Sequence, residues 1–188
     1  MKIYFIRHGA TMGNLAKKYI GITDEELCPE GISELKNLMF PVPDLLICSP
    51  LKRCVQSAQI LFPGQEVQIC EDFRECDFGD FENHNYQELT GNPDYQYWID
   101  SGGLSAFPGG ECPEDFKKRT IKAFARLMTV IPEIRNMTLV VHGGTIMSIL
   151  EHYAIPKKSY YDWQIPNAHG YVTEFDRIQQ KIIVLEKI

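Results

Sequence analysis

Two histidines, each followed by a glycine, come directly after short apolar runs of the chain: His8–Gly9 and His142–Gly143. Short apolar runs that are closed by glycine predict buried strands of a parallel sheet. Because ligands of open α/β sheets bind beyond the carboxyl ends of strands, both imidazoles are expected at one sheet edge. The glycines let the backbone approach a ligand and leave amides free for an anion. One such histidine is more often structural, but two in matching positions indicate a binding or catalytic site.

Two arginines are expected at the same edge. Arg7 directly precedes His8, and Arg53 falls in the first turns after the second predicted strand. A guanidinium offers a planar fork of donors that suits phosphate, and imidazole is a nucleophile near neutral pH. A solvated helix face is the competing interpretation of Arg53. Together these residue types favour a phosphate site.

Glu75 is a candidate general acid because it lies among aromatic residues, close to Phe73, Phe78 and Phe81. Apolar neighbours raise the pKa of a carboxyl group toward the range in which it can donate a proton near neutral pH. A salt bridge to Arg74 or to another base is the simpler alternative for this residue.

The elements that must position these groups alternate between strands and helices along the chain. Apolar runs predict strands over residues 3–6, 45–48, 67–70 and 138–141, and a hairpin over 171–175 and 181–185. Helical spacing and caps predict helices over about 30–39, 51–61, 113–132 and a stretch ending at 150, with weaker signals at 86–89 and 93–99. We therefore expect an α/β fold, a three-layer α/β/α sandwich with a mostly parallel central sheet. The 188 residues fit a single domain, 1–188.

Composition narrows the class of protein. The net charge of −6 argues against binding nucleic acid or acidic membranes through bulk charge. The apolar runs are too short to span a bilayer, and the opening run is too short for a secretory signal. Six cysteines are scattered without metal-ligand spacing, which indicates reduced thiols and a cytoplasmic protein.

Five motifs occur together in one order along nearly the whole chain, and together they resemble the histidine phosphatase superfamily, in its phosphoglycerate mutase-like branch. They are Arg-His-Gly-Ala-Thr at 7–11 with Asn14, Ser-Pro-Leu-Lys-Arg at 49–53, Arg-Glu-Cys-Asp-Phe-Gly at 74–79, Gly-Gly-Glu at 109–111 and His-Gly-Gly at 142–144. The resemblance implies phosphoryl transfer through a phosphohistidine, with no metal and no cofactor.

The same resemblance assigns roles to residues. It implies that His8 is the nucleophile and Glu75 the general acid. It further implies that the phosphoryl oxygens are bound by Arg7, Arg53 and a protonated His142, with Asn14 and the amide of Gly143 as additional phosphate contacts. For attack, one ring nitrogen of His8 must be unprotonated, so the other is expected to donate to a backbone carbonyl.

Three positions depart from the family's usual residues. Asn83 stands where glycine is common, so the loop that follows the acid is expected to differ in conformation. Ser57 replaces threonine and keeps the hydroxyl group. Cys112 replaces serine, which weakens a helix cap.

The substrate is suggested by analogy alone. The short segment 76–108 favours a phosphatase over a mutase, and Thr11 with reduced cysteines speaks against the secreted acid phosphatases. Among compact family members the chain most resembles α-ribazole phosphatases, which dephosphorylate α-ribazole 5′-phosphate in cobalamin assembly. The aromatic segment 73–98, with Tyr86, Tyr95, Tyr97 and Trp98, either stacks a flat base or forms a hydrophobic lid.

Other functions remain open at this stage. The alternatives are a broad-specificity sugar or nucleotide phosphatase, a phosphoglycerate mutase, a binding module without turnover, and a metallohydrolase, although no HxH or HExxH spacing supports the last. The expected partner is a small phosphorylated metabolite, and the oligomeric state is undetermined. His84 and His169 either border the substrate or lie on the surface, and His152 is expected to be structural.

Overall fold

A mixed α/β arrangement around a seven-stranded sheet is seen in the computed structural model, which describes residues 1–188. The strands are β1 (Lys2–Arg7), β2 (Leu45–Cys48), β3 (Val67–Ile69), β4 (Asn136–Val141), β5 (Ala154–Ile155), β6 (Gly170–Asp176) and β7 (Lys181–Lys187). The helices are α1 (Met12–Leu15), α2 (Pro29–Lys36), α3 (Lys52–Leu61), α4 (Pro93–Asp100), α5 (Pro113–Val130) and α6 (Gly143–Tyr153). Single 3₁₀ turns cover Glu71–Phe73, Gly79–Phe81 and Tyr160–Trp163.

The strand order is β3-β2-β4-β1-β6-β7-β5, and β1 to β4 are mutually parallel. Strand β6 runs antiparallel to β1 and forms the predicted hairpin with β7. Strand β5, which pairs with β7, was not predicted, because two residues are too few to display a pattern.

Alternate residues of the central strands face opposite layers, as the period of a strand requires. Ile3 and Phe5 of β1 pack into the larger core, which includes apolar residues of α5 and α6. Ile6 packs into a second core with Cys54 and Ala58 of α3. Both faces of the sheet are therefore covered, which confirms the three-layer sandwich.

The helix predictions succeed where apolar periodicity is long. Helix α5 begins at Pro113 and buries Phe116, Phe124 and Met128, and its N-cap Cys112 makes no capping hydrogen bond, as expected. The weak signal at 93–99 is confirmed as α4, where the side chain of Asn92 accepts two backbone N–H groups. The signal at 86–89 is wrong: turns occupy these residues. Helix α2 also ends earlier than predicted, at Lys36.

The sheet brings two strand ends side by side. In the parallel pairing of β1 with β4, Arg7 lies opposite Val141, so the histidines that follow both strands share one edge. Helix α2 packs directly on the loop after β1: a Cβ atom on Gly31 would lie 2.3 Å from the carbonyl oxygen of Ala10. The absence of a side chain at Gly31 therefore allows α2 to support this loop.

None of the helices has the length and apolar character needed to cross a membrane. The six cysteines are free thiols, as the sequence predicts.

Candidate active site

The two predicted histidines meet at the carboxyl edge of β1 and β4. The ring centroids of His8 and His142 are 5.1 Å apart, with the planes at 67°. Both side chains are almost completely buried. The prediction that the two histidines lie together at one sheet edge is confirmed.

His8 is held as a single neutral tautomer. Its Nδ1 lies 2.7 Å from the carbonyl oxygen of Gly9, which can only accept, so Nδ1 carries the proton, as expected from the sequence. Its Nε2 then accepts from Nε of Arg53 at 3.2 Å. Burial, together with the charges of Arg53 and Arg7, holds the pKa of His8 well below its ordinary value. The imidazole therefore presents the Nε2 lone pair of a neutral ring.

Arg53 is fully buried, so the interpretation as a solvated helix residue is wrong. Its two terminal nitrogens donate to the carbonyl oxygens of Thr23 at 2.8 Å and Gly21 at 2.7 Å. The carboxylate of Glu82 in turn accepts the amides of Gly21 and Ile22, both at 3.0 Å. Backbone carbonyls, not carboxylates, therefore hold this guanidinium.

Arg7 provides an unused donor at the same place. One terminal nitrogen donates to the carbonyl oxygen of Ile165 at 2.7 Å, whereas the buried Nε has no partner in the structure. The guanidinium lies beside Gly143, the first residue of α6, where a Cβ would be 3.6 Å from Nε of Arg7. First-turn amides of a helix lack intrahelical partners and favour anions. Arg7 and the start of α6 therefore form an anion site.

Glu75 is buried next to this anion site. Its Oε1 accepts the amide of Cys76 and its Oε2 accepts the amide of Gly144, each at 3.0 Å. Burial raises the pKa of Glu75, although these two bonds and the nearby arginines act in the opposite direction. The alternative salt bridge with Arg74 does not form. A Cβ at position 144 would lie 2.3 Å from the carboxylate, so a side chain there would displace Glu75.

His142 is buried beside Ser49 and Cys54. Its Nε2 lies 2.7 Å from Oγ of Ser49 and 3.5 Å from Sγ of Cys54. Burial and the charge of Arg53 lower the pKa of His142 far below the ordinary value of 6.5. The expected protonation of His142 stays a prediction, and the lowered pKa acts against it in the free protein. In this environment the ring is placed to share a hydrogen bond with Ser49.

Asn14 reaches the cleft through α1. Its Oδ1 accepts the amide of Thr11 and the side-chain amide of Asn167, at 3.2 and 3.1 Å. Its own side-chain amide is left for a ligand, and Asn14 lines the same cleft as Arg7 and Glu75.

The segment 165–168 was missed by sequence reasoning. Nδ2 of Asn167 also donates to the carbonyl oxygen of His8 at 3.1 Å, and the amide of Ala168 donates to the carbonyl oxygens of Arg7 and His8, both at 3.1 Å. This segment therefore supports the arginine, the histidine and Asn14 together. No residue pattern marks it, since its contacts lie about 160 positions away along the chain and are made largely by the backbone.

A second missed residue, Arg119 of α5, fixes the loop that carries Glu75. It donates to the carbonyl oxygens of Asp72 and Arg74, and it forms a salt bridge of 2.7 Å with Glu111. Glu111 of the Gly-Gly-Glu motif therefore fixes the position of Arg119 and does not line the cleft.

Two family departures are accommodated by the structure. Asn83 has φ of +63°, the left-handed conformation that glycine adopts freely and asparagine tolerates. This backbone conformation thus remains available in spite of the substitution. Ser57 keeps the role of a hydroxyl group: its Oγ accepts the amide of Gly9 at 3.0 Å and donates to the carbonyl oxygen of Arg53.

The anion site opens into a cleft of about 490 Å³. Aromatic residues from several elements form much of its wall: Tyr19, Phe78, Trp98, Phe107, Phe116, Tyr160 and Tyr161. Only Phe78 and Trp98 come from the aromatic segment predicted to stack a base. Tyr95 instead packs against Trp98, and Tyr86 and Tyr97 are exposed away from the cleft.

No histidine lines the cleft itself, and the other three histidines make their contacts elsewhere. His84 and His169 are exposed and each contacts a backbone carbonyl, that of Glu82 and of Ile188 respectively. His152 packs against the ring of Tyr153, with centroids 4.6 Å apart. No group of three or more His, Cys, Asp or Glu side chains is arranged to hold a metal ion.

The family model for the histidine phosphatase superfamily (branch 1) matches residues 3–187 of the chain. An adenosylcobalamin/alpha-ribazole phosphatase of Salmonella typhimurium is 28% identical over 158 residues, which are 80% of this chain and 77% of that protein. A 2,3-bisphosphoglycerate-dependent phosphoglycerate mutase of Cytophaga hutchinsonii is 27% identical over 163 residues, covering 80% and 76% of the two chains. Among solved structures, a putative alpha-ribazole-5′-P phosphatase of Escherichia coli has a TM-score of 0.88 at 23% identity, over 100% of this chain and 95% of that one.

The charge states of His8 and His142 are directly testable. Because burial and two guanidiniums depress both pKa values, neither ring is expected to titrate near 6.5. In a pH titration followed by ¹⁵N NMR, His8 should keep the Nδ1–H tautomer well below that pH. Protonation of His8 near pH 6.5 would contradict the geometry described.

Proposed function

Because the chain belongs to branch 1 of the histidine phosphatase superfamily and is a phosphatase, we propose that it hydrolyses small phosphate monoesters through a phosphohistidine on His8. The observation that carries the proposal is the neutral, buried His8, whose Nε2 lies against Arg53 and whose Nδ1 is anchored on a carbonyl. A neutral imidazole fixed in this tautomer is the form that attacks phosphorus.

In the first step, Nε2 of His8 attacks the phosphorus atom and the bond to the leaving alcohol breaks. In the free protein the Nε–H of Arg53 donates to Nε2 of His8. When substrate binds, this N–H donates to a phosphoryl oxygen instead, and the lone pair of Nε2 becomes free to attack. The unpartnered Nε–H of Arg7, the amide of Gly143 and Asn14 take the other oxygens. Phosphoryl transfer needs mostly positioning and charge stabilisation, which two guanidiniums supply without a metal ion.

Glu75 handles the proton in both steps. Its raised pKa favours the protonated form, which gives its proton to the departing alkoxide. The resulting carboxylate takes a proton from the water that attacks the phosphohistidine. The bond between Nε2 and phosphorus then breaks, phosphate leaves, and both residues return to their starting forms.

The substrate proposed is α-ribazole 5′-phosphate. The cleft of about 490 Å³ is far larger than a phosphate group, and its aromatic wall suits a flat base on the leaving alcohol. The name of the Salmonella typhimurium relative supports the same substrate. Free thiols are typical of proteins from reducing compartments, so the cytoplasm is the proposed location.

A comparison of kcat/KM across phosphate monoesters tests this assignment. We expect α-ribazole 5′-phosphate to exceed 3-phosphoglycerate by about 100-fold, because the larger ester buries an aromatic base against the wall of the cleft. The reactions should be run with and without EDTA, and phosphoglycerate isomers should be measured to detect mutase activity. A preference for 3-phosphoglycerate, or its conversion to the 2-isomer, would favour the mutase alternative instead.

Replacing Glu75 by glutamine tests the role of the acid. We expect kcat for alkyl phosphates to fall by about 100-fold or more, because the alkoxide then leaves without a proton. The loss for p-nitrophenyl phosphate should be much smaller, since nitrophenolate leaves unaided. Equal losses for both ester classes would argue against an acid at position 75.

In the unmodified enzyme, turnover of alkyl esters should decline as pH rises through the raised pKa of Glu75.

A further inference from the structure

The cleft continues along α6 well beyond the anion site. Gly143, Gly144, Met147 and Glu151 all line it. Glu151 follows Gly143 by eight positions, which is about 12 Å along a helix axis. Helical side chains lean toward the N-terminus, so the Glu151 carboxylate lies closer to the anion site than its backbone does. Glu151 therefore lines the part of the cleft that lies beyond the anion site.

Glu151 forms a charge pair with Lys117 of α5 in this outer part of the cleft. Nζ of Lys117 lies 2.7 Å from Oε2 of Glu151, and the side chains are 26% and 34% exposed. The same ammonium sits over the ring of Tyr160, 4.1 Å from its centroid. The catalytic steps proposed above make no use of this pair, although both residues line the cleft.

The pair keeps unused hydrogen-bonding capacity. Oε1 of Glu151 has no hydrogen-bond partner, and only one of the three N–H groups of Lys117 is engaged with a carboxylate. An acceptor and a donor therefore stand side by side, with no net charge. Such a pair suits a neutral group that both donates and accepts, and it disfavours a second anion, which Glu151 would repel.

We propose that Lys117 and Glu151 bind the vicinal hydroxyls of a pentose ring in the leaving alcohol, and so determine specificity for ribosyl 5′-phosphates. One hydroxyl donates to Oε1 of Glu151, and Lys117 donates to a hydroxyl oxygen. Carboxylates bind ribose hydroxyls in the same way in dinucleotide-binding folds. The inference rests on the proposed function, which anchors the phosphate end of the substrate.

The test compares ribosyl substrates with their 2′,3′-dideoxy analogues, using α-ribazole 5′-phosphate and adenosine 5′-monophosphate. For each base, the unmodified enzyme should show kcat/KM about tenfold or more higher for the ribosyl compound, as expected for hydrogen bonds to charged groups. In Glu151→Ala and Lys117→Met the ratio of the ribosyl to the dideoxy kcat/KM should fall to about two or less. Glu151→Gln should give a ratio between those of the unmodified enzyme and Glu151→Ala.

The matched control is Lys118→Met, which removes an exposed pair with Glu114 on the same helix and should leave the ratio unchanged. Failure of the unmodified enzyme to hydrolyse p-nitrophenyl phosphate would contradict the proposed function alone. In that case the Kd values of ribosyl and dideoxy nucleotides, measured by calorimetry, test the pair without turnover. Equal treatment of ribosyl and dideoxy compounds by the unmodified protein would overturn the inference.

Discussion

Two guanidiniums that are held at one site without a carboxylate partner determine the character of this site. Neither Arg7 nor Arg53 forms a salt bridge. A buried charge without a counter-ion is costly, so such a site favours an anion strongly. Burial, together with these same charges, lowers the pKa values of His8 and His142. The preference of the site for an anion and the unprotonated Nε2 of His8 therefore share an electrostatic cause.

The rest of the fold keeps these charges in place with neutral groups. Carbonyls of the loop at 21–23 hold Arg53, and Glu82 fixes that loop through its amides from outside the anion site. The segment 165–168 holds Arg7 and the backbone of His8 through hydrogen bonds. Because these supports are carbonyls and amides, they fix geometry without neutralising the positive charge. Glu75 is the one carboxyl group at the centre, and its burial favours the protonated form.

The sequence was sufficient for the layers and for the central residues of the site, because both follow from local patterns. Apolar runs ending in His-Gly mark β1 and β4, and parallel pairing then requires His8 and His142 to meet. Patterns could not reveal Asn167 or Arg119, whose roles depend on backbone carbonyls that only the fold brings near. The lowered pKa of His142 could not be anticipated either, since it depends on complete burial and on the summed field of the arginines. The aromatic wall was located only in part, because residues such as Phe107 and Tyr160 come from distant loops.

Attack by His8 on phosphorus is the central claim, and a rapid-quench experiment with ³²P-labelled p-nitrophenyl phosphate tests it most directly. Nitrophenolate should appear together with labelled protein whose phosphate is stable to alkali and labile to acid, as a phosphoramidate is. Peptide mapping should place the label on His8, and His8→Ala should carry none. Full turnover by His8→Ala, or label on another residue, would contradict the account.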